Sequence, residues 1–168
     1  MLNSIVKRCS LPVTRIDEMT CAALIGRLHA LADDEIAQHV MKPTRICHFN
    51  PSELATLSTR LPIESLRLEI LKRKQAPAAR ATTKNPDVWT IQSLEKLAKA
   101  FPCDRDIIDL VTSKINKADD LWFLTANADT LTSLLNALPD KTRILKELAT
   151  RRYSLTSADL EAIIRAKK

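Results

Sequence analysis

The apolar positions of this chain recur in register with three prolines. Each proline follows a large apolar residue, at Leu61-Pro62, Phe101-Pro102 and Leu138-Pro139. Eight residues before them stand Leu54, Leu94 and Leu131, and five before stand Leu57, Leu97 and Leu134. Six residues after come Leu68, Ile108 and Leu145, and nine after come Leu71, Val111 and Leu148. Offsets of three and four place Leu54, Leu57 and Leu61 on one helical stripe, and the same holds for Leu94, Leu97 and Phe101. Twelve residues before each proline sit Asn50, Thr90 and Asn127. Their side-chain oxygens accept a backbone N–H and start a helix. Pro51 and Glu53 reinforce the signal after Asn50. Proline disfavours α geometry in the residue before it, so the first helix ends there. A second helix follows, with Glu64, Asp104 and Asp140 in its early turns, where the helix dipole favours acids.

Degenerate copies flank these three. Thr20 takes the cap position, with Leu24 and Leu31 in register, and Thr156 does the same near the end, with Leu160 and Ile163. Cap-to-cap spacings are 30, 40, 37 and 29 residues, within the range of helical-hairpin arrays. The predicted fold is all-α: a short, solenoid-like stack of about four and a half helical hairpins over residues 17–168, preceded by a basic N-terminal segment, 1–16. Irregular pieces lie between the units: Met41–Thr44, the polar two-proline loop 75–88, and an acidic-aromatic insert, 118–125, with room for one helical turn.

Composition agrees. Hydrophobic residues make up 45% of the chain and aromatics only 4%, so the core falls to Leu, Ile, Val and Ala. Gly26 is the single glycine, which argues against tight hairpins and glycine-rich phosphate loops. No apolar run reaches membrane-spanning length. The four cysteines are far apart with no CxxC pair, the pattern of reduced thiols in a cytoplasmic protein. Residues 1–16 hold Lys7, Arg8 and Arg15 and no acid. That composition suits a frayed basic terminus, and it is also that of an organelle-import presequence or a secretion signal.

The segments FNPSELATLSTRLP (49–62) and WTIQSLEKLAKAFP (89–102) are loosely similar to units of the octotricopeptide and heptatricopeptide class of α-repeats. The resemblance rests on an aromatic, a cap and leucines, and it implies association with organellar or bacterial RNA. The prolines depart from that pattern.

Candidate chemistry is sparse. His29, His39, Cys47 and His48 lack metal-ligand spacing. A Cys47–His39 nucleophile pair has no local support. Cys103 near a helix start is opposed by Asp104 and Asp106. The acidic pairs Asp33-Asp34, Asp104/Asp106/Asp109 and Asp119-Asp120 are explained by helix starts and outer faces. No cofactor, metal or catalytic residue is expected.

Charge is better organised. The net charge is +6, with cations in excess over 50–85 and 140–168, while Asp119, Asp120 and Asp129 are the only charges in 119–139. Lys72, Arg73 and Lys74 close one second helix, Arg151 and Arg152 close another, and Lys114 and Lys117 occupy the equivalent stretch between them. Cations there complement helix C-termini, and in a parallel stack they also line one edge. Trp122 and Phe123 stand off the repeat pattern, either packed between units or exposed as interface anchors. The expected function is a non-catalytic protein-interaction module, an adaptor or effector-type scaffold. Trp122, Phe123, Lys72, Arg73, Lys74, Arg151 and Arg152 are its candidate contacts. The alternatives are RNA binding along the basic edge and an enzyme whose site no motif reveals.

Overall fold

Asn50, Thr90 and Asn127 each open a helix through the same hydrogen bond. Their side-chain oxygens accept from the backbone N–H of Glu53 at 2.9 Å, Ser93 at 3.1 Å and Thr130 at 2.8 Å. Glu53 returns the bond to the Asn50 N–H at 2.9 Å, completing a capping box. The computed structural model describes residues 16–151, 161 and 163–165. Residues 1–15, Arg152, Thr156 and Leu160 lie outside the described residues.

In chain order the helices are α1 (Cys21–Gly26), α2 (Asp33–Glu35, continued by a π turn at Ile36–Val40), α3 (Pro43–Ile46), α4 (Pro51–Ser58) and α5 (Glu64–Lys72). There follow α6 (Ile91–Ala100), α7 (Arg105–Lys117), α8 (Asp120–Phe123), α9 (Ala128–Ala137) and α10 (Thr142–Thr150). The chain is all-α, and no strand occurs among the described residues. The piece at Met41–Thr44, expected to be irregular, contains the start of α3, because Pro43 takes the first helical position. The loop 75–88 stays non-helical. Its two ends are drawn together by Trp89 N–H to Pro77 O at 2.8 Å and Ala79 N–H to Trp89 O at 3.1 Å.

The corners are built alike. Leu61, Phe101 and Leu138 donate their N–H to Leu57, Leu97 and Leu134 at 3.0, 2.9 and 3.0 Å, closing the last turn of the first helix. The prolines then stand outside both helices, and the second helix opens two or three residues later. Helix α1 packs on α4, α4 on α6, and α6 on α9, while α5 packs on α7. Each of α4, α6 and α9 also packs on the helix after its corner. Leu54, Leu57, Leu94, Leu97, Leu131 and Leu134 are fully buried in these contacts, each stabilising the fold by about 1.5–3 kcal/mol.

One expected core position is overturned. Leu68 is 50% exposed, and Leu66 and Ile70 are buried instead. Helix α5 starts two residues after its proline, whereas α7 and α10 start three after theirs. Its inward face is therefore shifted by one residue: Leu66, Glu69 and Ile70 take the places of Ile144, Glu147 and Leu148 in α10.

Candidate functional site

The cationic ends of the second helices divide into inward and outward groups. Arg73, half-buried, donates to the carbonyls of Cys47 and Phe49 and lies 3.5 Å from Glu69. Arg151 donates to the carbonyls of Phe123 and Ala126 at 2.5 Å. Phe49 and Ala126 immediately precede the caps Asn50 and Asn127. Both arginines thus tie the end of a second helix to the start of its own first helix. A guanidinium suits this task, since its fork reaches two oxygens at once. Lys114 occupies the corresponding place in α7 and donates instead to Ala76 O at 2.6 Å. Lys72 points outward, with its ammonium 3.0 Å from the buried Glu69. Lys74 is exposed, with no ion-pair partner among the described residues.

The insert forms one turn, α8, whose two faces have opposite fates. Trp122 and Phe123 point inward and are buried, their rings in edge-to-face contact at 5.1 Å. The Trp122 indole N–H donates to Trp89 O at 3.1 Å, and the Asp119 carboxylate caps the Trp122 N–H at 2.7 Å. Arg143 lies over the Phe123 ring, 5.0 Å from its centre, and pairs with Asp120 and Glu147. Of the two roles open to Trp122 in the sequence, the structure gives it packing, and an exposed anchor is excluded for both aromatics. Leu121 and Leu124 face outward instead, 68% and 66% exposed. Sequence reasoning passed over them because the aromatics drew attention. The available signal was the pattern Leu-Trp-Phe-Leu on a single turn, where only one pair can turn inward.

A third cluster gathers near α1. Asp17 lies 3.1 Å from the Lys42 ammonium, 3.4 Å from His39 Nδ1 and 3.7 Å from Arg45. The hydrogen bond from Lys42 holds its carboxyl below the usual aspartate range. Cys21 lines the same open depression, with His48 on its rim. Burial pushes the Cys21 thiol up, helped by the charge of Glu53, and a protonated thiol is a poor nucleophile. Cys47 and Cys103 are exposed. Among the described residues no group of three or more His, Cys, Asp or Glu converges at metal-ligating distance, and no helix is long and apolar enough to cross a membrane.

No protein-family model, curated protein or solved structure matches this chain. Its own surface chemistry is what bears on function.

Proposed function

We propose that this protein is a non-catalytic interaction module, an adaptor or effector-type scaffold, in which successive helical hairpins stack as a short solenoid and present α8 to a protein partner. The observation that carries the reading is the exposed pair Leu121 and Leu124 on a turn whose opposite face is locked into the core. An exposed apolar group on a rigid platform loses little conformational freedom when a partner covers it, and the contact then keeps most of its hydrophobic gain. The stacking of α1, α4, α6 and α9 in chain order, with equivalent caps and corners, supports the repeat reading. Such arrays recognise partners by surface shape rather than by an enclosed pocket.

The test is affinity capture with the full chain, followed by reconstitution with the purified partner. Leu121→Ser with Leu124→Ser is expected to abolish the complex while leaving the melting temperature within a few degrees, since neither side chain is buried. Capture that is unchanged by the double substitution overturns the reading.

A further inference from the structure

An open groove of about 470 Å³ runs between the end of α5 and the outer side of α7. Lys74, Lys114 and Lys117 all line it, together with the hydroxyl-bearing Ser113 and the amide of Gln75. The Lys114 bond to Ala76 O fixes one wall, because it fastens the chain leaving α5 to α7 across 38 residues. Lys74 and Lys117 have no ion-pair partner among the described residues. The groove also holds two acids, Asp106 and Asp109: Asp106 shares Arg67 with Asp104 and Glu64, and Arg105 stands 3.9 Å from Asp109. Both acids also lie nearer the start of α7. From Asp109, Lys114 and Lys117 are about 7 and 12 Å further along the helix axis.

Helix C-termini attract lysine on their own account. Each helix C-terminus carries roughly half a negative charge. Two such ends, those of α5 and α7, offset about one of the three lysines. At the lysine end of the groove about two positive charges remain after the helix ends are counted, with the two acids lying toward the start of α7. Burial lowers the Lys114 pKa, and the charge of Lys117 lowers it further, because the two ammonium groups repel each other. An anion seated between them replaces repulsion by attraction.

We propose that this groove is a binding site for a phosphate-bearing anion, with Lys74, Lys114 and Lys117 as its charged ligands and Ser113 and Gln75 as hydrogen-bond donors. Two sources share that chemistry: the backbone of single-stranded RNA, and a small soluble oligophosphate. No residue of α8 lines the groove, and neither Leu121 nor Leu124 is part of it, so the two sites are tested by separate substitutions.

The test uses the full chain and two probes. One is a labelled twelve-nucleotide oligouridylate followed by fluorescence anisotropy, and the other is inorganic tripolyphosphate followed by calorimetry. Lys74→Glu with Lys117→Glu is compared with Lys84→Glu and Lys146→Glu, a control pair on exposed residues outside the groove with the same change in net charge. The groove variant is expected to weaken binding by at least about tenfold and the control by less than about threefold. For RNA, three neutralised phosphates give a slope of log affinity against log salt of about −2. Binding of RNA alone assigns the site to a nucleic-acid backbone, and binding of tripolyphosphate assigns it to a small anion. If neither probe binds, or if both double variants weaken binding equally, the proposal is overturned. Thermal melts show that each variant is folded, and Lys74→Gln with Lys117→Gln replaces the glutamates if it is not.

Discussion

The indole N–H of Trp122 donates to the backbone carbonyl of Trp89, 33 residues earlier, at 3.1 Å. Trp89 in turn donates its own indole N–H to Arg73 O at 3.0 Å. The two tryptophans thus link the end of α5, the start of α6 and the insert α8 in one buried chain of contacts. The platform that presents Leu121 and Leu124 is held by this chain and by the Phe123 ring beneath Arg143.

Trp122→Ala should therefore cost about 3–5 kcal/mol of unfolding free energy, the range for emptying a large aromatic site. Trp122→Phe keeps most of the volume but removes the donor, and should cost about 1–3 kcal/mol. Urea denaturation read by far-UV circular dichroism measures both. If Trp122→Ala loses less than 1 kcal/mol, the inward placement of this side chain is wrong.

Leu57 and Leu68 both belong to the apolar repeat, yet only Leu57 is buried. Leu57→Ala should cost about 2–5 kcal/mol, whereas Leu68→Ala should change stability by no more than about 0.5 kcal/mol. Equal effects in chemical denaturation would remove the one-residue shift of α5.

That contrast shows which parts of the molecule could be read from sequence. Caps at Asn50, Thr90 and Asn127, and the leucines of the first helices, follow from spacing within a dozen residues, and local geometry acts on that scale. The exposure of Leu68 goes with α5 opening two residues past Pro62 instead of three, a difference that the apolar spacing around Pro62 does not encode. The fate of α8 was undecided for a related reason. Its four consecutive apolar residues satisfy either orientation, and the contacts that fix one, the Trp89 carbonyl and Arg143 over the Phe123 ring, lie far away in sequence. The inward turn of Arg73 and Arg151 was also beyond reach, because their acceptor carbonyls at Phe49 and Phe123 lie 24 and 28 residues away.

Neighbouring cations in one sequence cluster should accordingly behave differently. Lys72 is 71% exposed in its side chain, and Lys72→Ala should shift stability by about 0.5 kcal/mol or less. Arg73→Ala leaves two carbonyls and the buried Glu69 with fewer partners, and should cost about 1.5–3 kcal/mol. Arg73→Lys should recover only part of this, since one ammonium does not reproduce the planar fork. Complete rescue by lysine in thermal melts would show that charge, and not the paired hydrogen bonds, is what the position needs.

Acid should loosen the α5–α7 contact before the rest of the fold. Burial alone would raise the pKa of Asp104, but the hydrogen bond from Arg67, the Ile107 N–H at 3.1 Å and the charge of Arg67 outweigh it and hold the carboxyl below the ordinary aspartate value. Asp140 is lowered as well, first by the Thr142 N–H and then by Asn116. A group whose folded pKa is depressed adds stability above its unfolded value and loses that stability as pH falls through the folded value. Unfolding free energy should thus be nearly level from pH 7 to about 5 and should fall below about pH 4. Asp104→Asn preserves a capping oxygen but not the charge. Its deficit against the parent protein should be largest near neutrality and should shrink toward pH 2. Urea melts across that range provide the comparison, and parallel curves for parent and variant would show that the Arg67–Asp104 pair does not couple α5 to α7.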